Sequence, residues 1–231
     1  MDKEAFTGRA QAYTKARPGY PVEAVEYIRS LVPTGAVFAD IGAGTGKFTE
    51  LIAKHGYSIF AVEPNGDMRA ELVKTLAPFP NATIVEGTAE NTTLTKNSVD
   101  VITNAQALNR IDIDAFRAEC DRIGRQNPIV FTLFNIEKGK ESGRYNKSTD
   151  ALYFNPTVME FPNPVIFSRE MWLLYYLSME GVPFPSDPGY ESYTAELNEK
   201  FNSDSIDGVL RLELVTRVYS ERDVCTFKRS P

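Results

Sequence analysis

Short apolar runs alternate with amphipathic helical runs through the first 134 residues. Pro21 opens a helix whose apolar stripe is Ala24, Val25, Ile28, Leu31 and Val32, and Pro33-Thr34-Gly35 ends it. Ala36–Ile41 is a short, mostly apolar run of the kind a buried strand needs, and Gly42–Gly46 is a glycine-rich turn. Phe48, Leu51 and Ile52 repeat at helical spacing, with His55 and Gly56 at the C-terminal stop. Tyr57–Val62 reads as a second strand, followed by a helix marked by Met68, Leu72, Val73 and Leu76, with Asn65 as its cap. Thr83–Val85, Val99–Thr103 and Ile129–Phe134 read as further strands. A helix through Phe116, Cys120 and Ile123, stopped by Gly124, joins the last two. Such alternation predicts a parallel sheet with helices on both faces, and right-handed crossovers place all strand C-termini on one ligand-binding edge.

The pattern changes after Phe134. Asn135–Asp150 is polar and charged and reads as a loop on the ligand edge. Thr157–Phe167 carries Pro162 and Pro164, which confines it to an edge strand or irregular structure. Ser168 can cap a helix through Met179 that is apolar almost all round, which implies burial. A last helix carries Tyr190, Tyr193, Leu197 and Phe201 on one face. Leu210, Leu212, Leu214, Thr216 and Val218 alternate with polar residues as one strand does; Ser220–Asp223 reads as a turn and Val224–Phe227 as a strand pairing back.

Composition narrows the function classes. The 231 residues are 42% hydrophobic and 24% charged, ordinary values for a globular chain. Two cysteines, Cys120 and Cys225, are too few for a disulfide scaffold and sit in apolar-periodic segments, as buried thiols do. Met1–Lys15 lacks an apolar stretch of signal-peptide type, so a cytoplasmic protein is the expectation. The longest purely apolar run, Met171–Leu177, is too short to span a membrane. A net charge of −6 argues against nucleic acid as a partner and for a small molecule or a protein. With His55 as the single histidine, a histidine triad or a multi-histidine metal site is not expected.

The strongest chemical signal is Phe38-Ala-Asp-Ile-Gly-Ala-Gly-Thr-Gly-Lys47, a strand entering a G-x-G-x-G turn before a helix. Its backbone N–H groups favour a ligand carboxylate or phosphate. A nucleoside-triphosphate loop fails because Ile41 stands where its first glycine belongs and Phe48 follows Lys47. A dinucleotide fingerprint fails because position 47 is lysine. A third ligand class is S-adenosylmethionine, which has a carboxylate to dock and no pyrophosphate. Glu63 ends the second strand 21 positions after Gly42, where a carboxylate can accept from both ribose hydroxyls. Gly87-Thr-Ala-Glu90 follows the third strand, and Asp100-Val-Ile-Thr-Asn-Ala-Gln-Ala107 covers the fourth.

These four runs, in this order and spacing, resemble a class I S-adenosylmethionine-dependent methyltransferase. The leader RAQAYTKARPGYP, the run FPNPVIFSREMW and the final T-x-V-Y strand are similar to a bacterial subgroup that includes relatives of trans-aconitate methyltransferase. The resemblance implies a Rossmann-like three-layer αβα sandwich: a seven-stranded, mostly parallel sheet with an antiparallel strand near the C-terminus, and a lid insertion. One methyltransferase domain is expected over 1–231: a leader or lid at 1–20, a cofactor-binding core at 21–134, a substrate cap at 135–205 and C-terminal strands at 206–231. Carried over residue by residue, the resemblance puts Asp40, Gly42, Ala43 and Gly44 along the methionine part of the cofactor and Glu63 on the ribose. Pro64 and Met68 would flank the adenine, with Ala89 and Glu90 at its edge, and Asn104 and Gln106 would lie near the sulfonium. Tyr13 and Arg17 look like residues that close over the site, Arg17 pairing with the cofactor carboxylate; the alternative is a surface helix with a Tyr/Arg pair. S-adenosylhomocysteine would be the product.

One departure stands out. Many members of that subgroup read A-Q-A-F-H-W-F-D where this chain has Ala105-Gln-Ala-Leu-Asn-Arg-Ile-Asp112. The usual histidine is Asn109, which cannot serve as a general base near neutral pH. Gln106, Asn109 and Arg110 are the substrate-side candidates. Arg110 either anchors an acidic acceptor or merely faces solvent or pairs with Asp112 or Asp114. Tyr145, Tyr153, Phe154, Trp172, Tyr175 and Tyr176 supply either pocket walls or ordinary core. The expectation is therefore a methyltransferase for a small-molecule acceptor, acting as monomer or homodimer without metal, nucleic acid or membrane. The rivals are a cofactor-binding module without catalysis and a nicotinamide-dependent reductase, against which the missing third glycine and the lack of a Tyr-x-x-x-Lys pair speak.

Overall fold

The computed structural model describes residues 4–140, 143–222 and 224. Its strands are β1 (Val37–Ile41), β2 (Ser58–Val62), β3 (Ala82–Val85), β4 (Val99–Ala105), β5 (Gly124–Glu137), β6 (Thr157–Pro162), β7 (Val165–Ser168), β8 (Val209–Leu212) and β9 (Leu214–Arg222). Its helices are α1 (Ala10–Ala16), α2 (Val22–Leu31), α3 (Lys47–Ala53), α4 (Gly66–Leu76), α5 (Ile113–Ile123), α6 (Gly143–Leu152), α7 (Arg169–Leu177) and α8 (Tyr190–Asp204), with a 3₁₀ turn at Leu108–Arg110.

Seven strands form one sheet in the order β3-β2-β1-β4-β5-β9-β6. The first five pair in parallel, while β9 pairs antiparallel with both β5 and β6, so β9 alone runs backwards. This is a Rossmann-like sandwich, and strand order reverses between β1 and β4. Period-two alternation feeds both faces: Phe38, Phe131 and Leu133 pack with α2 and α3, whereas Ala39, Ile41, Val130 and Phe134 pack with α5 and α6. Asn65 caps α4 by accepting from the Met68 N–H at 3.0 Å, as its sequence position predicts.

A satellite layer caps the ligand edge. β7 and β8 form a two-stranded ribbon. Against it, Phe167, Trp172, Phe201 and Leu210 make a small core of their own, and Trp172 Nε1 donates to the Leu197 carbonyl at 2.9 Å. Helix α1 lies on α7. Buried Arg9 binds the cap through the carbonyls of Leu177 and Val182 and stacks 4.0 Å over Phe184.

The structure corrects several sequence expectations. Asn135–Asp150 is not a loop. Its first residues prolong β5, because β9 pairs along that strand as far as Glu137, and α6 follows with Thr149 and Leu152 buried. The alternation from Leu210 to Val218 belongs to two strands in different sheets, broken at Glu213. Ser220–Arg222 continues β9 rather than turning. Asp223 and 225–227 lie outside the described residues, as does Cys225; Cys120 is buried. In α7 only Trp172 is fully buried, because the other apolar positions pack partly against α1 and the chamber described below. No helix among the described residues is long and apolar enough to cross a membrane.

Candidate functional site

The turn after β1 is shaped by close approach. Gly42 has φ +72°, and a Cβ on it would lie 2.7 Å from the Ala107 Cβ. The Gly42 and Ala43 N–H groups donate to the Val62 carbonyl at 2.9 and 3.0 Å, tying the turn to the end of β2. Glu63 sits beside it, buried, accepting from the Gly44 N–H at 2.8 Å through one oxygen and from the Asn65 N–H at 2.9 Å through the other. Burial pushes its carboxyl above the ordinary value, and these two N–H groups oppose the shift.

Asp40 and Asn104 stand behind the turn. Asp40 is 1% exposed and accepts from the hydroxyls of Thr49 at 2.6 Å and Thr103 at 2.9 Å. Burial pushes its carboxyl up to about 6 against those two hydrogen bonds. Asn104 is fully buried and donates to the Ile41 carbonyl at 3.0 Å, and its Oδ1 has no partner. Both brace the turn from within the sheet and neither lines the two chambers that open at its edge.

Two adjoining chambers open at the sheet edge. The narrow one, about 50 Å³, is lined by Gly44, Glu63, Pro64, Asn65 and Met68. The wide one, about 370 Å³, is lined by Arg17, Ala43, Thr45, Lys47, Asn109 and Asn135, with Tyr20, Tyr145, Tyr175 and Glu180 among its other walls. Phe6, Tyr13, Gly42, Ala105, Gln106 and Arg110 form walls common to both. Gln106 holds φ +65°, a sparsely populated conformation for a residue with a side chain. The leader packs over these chambers: Arg17 donates to the Ser178 Oγ at 2.8 Å and stacks on Tyr13 and Tyr175.

Of the residues expected at the site, Tyr13, Arg17, Gly42, Ala43, Gly44, Glu63, Pro64, Met68, Gln106, Asn109 and Arg110 line the chambers. Asp40, Ala89, Glu90 and Asn104 do not. Ala89 is packed in the core. Glu90 accepts from the Asp112 N–H at 3.2 Å; burial pushes its carboxyl up, but its own N–H and that of Asp112 hold it below the ordinary value. Arg110 pairs with neither Asp112, which caps α5, nor Asp114, which pairs with Arg117; its partner is Glu180 at 3.1 Å. Tyr145 and Tyr175 are walls, Tyr153 and Trp172 are core, and Phe154 is 66% exposed. Lys47 is a wall residue that sequence reasoning used only to reject two motifs. Burial lowers its ammonium below the ordinary value, with Glu50 opposing.

Comparison with known proteins follows this geometry. Residues 39–132 match the family model of the methyltransferase domain. That stretch holds the glycine turn, Glu63, Gln106 and Arg110. A Mycobacterium tuberculosis protein named an uncharacterized methyltransferase is 38% identical over 132 residues, 57% of this chain and 52% of that one. The chain spans about half the length of that curated relative. A candidate type II methyltransferase from Anaeromyxobacter dehalogenans superposes with a TM-score of 0.66 at 18% identity, covering 90% of this chain and 98% of that chain. The Haemonchus contortus phosphoethanolamine N-methyltransferase 2, solved with phosphomonomethylethanolamine and S-adenosylhomocysteine, gives 0.54 at 15% identity over 95% of this chain and 57% of that one. At these identities the solved structures speak to the fold.

Proposed function

We propose that this chain is an S-adenosylmethionine-dependent methyltransferase for a small-molecule acceptor carrying an acidic group. The observation that carries the reading is the pair of chambers meeting at Gly42 and Gln106, with the Glu63 carboxylate at one end and cationic walls at the other. The residues fit the cofactor. Each Glu63 oxygen spends one lone pair on a backbone N–H and keeps another for a ribose hydroxyl. Pro64 and Met68 offer apolar faces to a base, and Tyr13 and Arg17 close above. Once bound, the cofactor supplies an activated methyl group on a sulfonium.

This chain's own work is then alignment and charge. Holding an acceptor against the wall shared by the chambers supplies about 7–11 kcal/mol in favourable cases. Arg110 and Lys47 attract an acid. The matches to methyltransferases and the resemblance of the leader to relatives of trans-aconitate methyltransferase support the same reading. A second reading, a cofactor-binding module without turnover, draws support from Asn109. It lines the wide chamber and cannot take a proton, so an acceptor needing deprotonation finds no histidine there.

The test is incubation of purified protein and S-adenosylmethionine with whole or desalted metabolite extract, followed by mass spectrometry. S-adenosylhomocysteine and a product heavier by one methylene, formed only with whole extract, are expected. Glu63→Ala should weaken cofactor binding about 10- to 100-fold. Cofactor binding without turnover on any fraction would favour the binding module, and undiminished affinity in Glu63→Ala would remove the ribose assignment.

A further inference from the structure

Three arginines grip one short segment of the cap. Arg9 takes the carbonyls of Leu177 and Val182, Arg17 takes Ser178, and Arg110 takes Glu180. The first two arginines bind neutral groups. The third sets a carboxylate inside a chamber whose described lining holds no other, against the three cations Arg17, Lys47 and Arg110.

The two partners of that pair are unequally placed. The Arg110 side chain is 25% exposed, stacks 4.4 Å over Phe6 and has a buried Nε without a partner. The Glu180 side chain is 39% exposed and is followed by Gly181 at φ +74°, where the backbone is least restricted. Glu180 can therefore turn to water at small cost, whereas Arg110 stays where it is and needs an anion. Losing the pair also leaves the cap segment held by Arg9 and Arg17.

We propose that Glu180 occupies the place of the acceptor's acid group on Arg110 and so sets which acceptors the wide chamber admits. The inference rests on the acidic-acceptor reading above. A neutral molecule meets an Arg110 already neutralised. An acid enters by displacing Glu180, whose nearest oxygen lies 3.1 Å from Nη2 of Arg110. A carboxylate or phosphate that offers two oxygens to the guanidinium, with Lys47 or Arg17 also in the chamber, outcompetes it. Glu180 is thus a specificity-determining residue that raises the threshold for entry.

The sign of one substitution decides the matter. Protein saturated with S-adenosylhomocysteine is titrated calorimetrically with glutarate, with inorganic phosphate and with glutaramide as the neutral control. Glu180→Gln should bind glutarate or phosphate about two- to fivefold more tightly than the parent, the span expected for losing one exposed ion-pair competitor. It should gain nothing for glutaramide, and adding Arg110→Ala should erase the gain. Glutarate and phosphate as separate arms show which acid the chamber prefers. Weaker or unchanged anion binding in Glu180→Gln overturns the proposal, as does a gain that survives the loss of Arg110, or no anion binding to either protein. Failure of the methyl-transfer reading is separable: S-adenosylhomocysteine would then give no heat, while the anion titration of cofactor-free protein still reports on Arg110.

Discussion

Asp40 stores a cost in the most legible part of the sequence. Burial pushes its carboxyl from the ordinary 3.8 up to about 6, with the Thr49 and Thr103 hydroxyls opposing. The folded state therefore binds more protons than the unfolded chain between those two values. This group's contribution is fully favourable below about 3.8 and is lost as pH rises through about 6. The Asp40 component of stability is thus expected to fall by about 1 kcal/mol from pH 5 to pH 7.5. Urea unfolding of the parent and Asp40→Asn at both pH values isolates it: the parent should lose that increment relative to the variant, and identical pH profiles would show that burial is not taxing the charge. Gly42 and Glu63 were readable as chamber residues because a tight turn and the next strand end fix their relation over 21 positions, whereas Asp40 stands behind the turn. Lys47 and Glu180 were not. One lay inside a motif it appeared only to break. The other meets Arg110 across 70 residues that spacing does not constrain.

At the scale of elements, the sheet core was legible because burial on both faces forces apolar runs, and the helices between them announce their stripes and caps. The misreadings share a cause. Period-two alternation states which face a residue takes but not which strand it pairs with, so the break at Glu213 between β8 and β9 left no mark. Helix α6 was missed because its inward face is Tyr145, Thr149 and Leu152, and a buried threonine reads as polar. The leader's grip on α7 was invisible for a further reason: it is made by a side chain on backbone carbonyls, which carry no sequence. That grip is testable. Arg9→Met keeps much of the packing against Phe184 but abandons the carbonyls of Leu177 and Val182. A loss of about 1.5–3 kcal/mol in urea unfolding is expected for charge-assisted hydrogen bonds of this kind. Faster proteolysis of the leader should accompany it. Unchanged stability would mean that the cap is held by Arg17, Arg110 and apolar contact with α1 without help from Arg9.

The whole molecule combines a net charge of −6 with a chamber lined by three cations, so the attraction proposed for an acidic acceptor is local to the site. The site is also assembled from distant parts of the chain: the leader, the glycine turn, the end of β4, α6 and the segment after α7 all contribute walls. A ligand filling both chambers touches most of these at once and binds only the folded arrangement. Mass action then predicts the size of its effect. S-adenosylhomocysteine at one hundred times its Kd should stabilise the fold by about 2.7 kcal/mol, which for a chain of this size raises Tm by roughly 5–10 °C. Differential scanning calorimetry at several ligand concentrations checks it, since a specific site gives a Tm that keeps climbing with the logarithm of concentration. Glu63→Ala at the same concentrations should shift far less, because the carboxylate proposed to receive the ribose is gone while the chambers remain. A shift in the parent that the variant reproduces in full would place the ligand elsewhere on the molecule and would remove the narrow chamber from the cofactor's path.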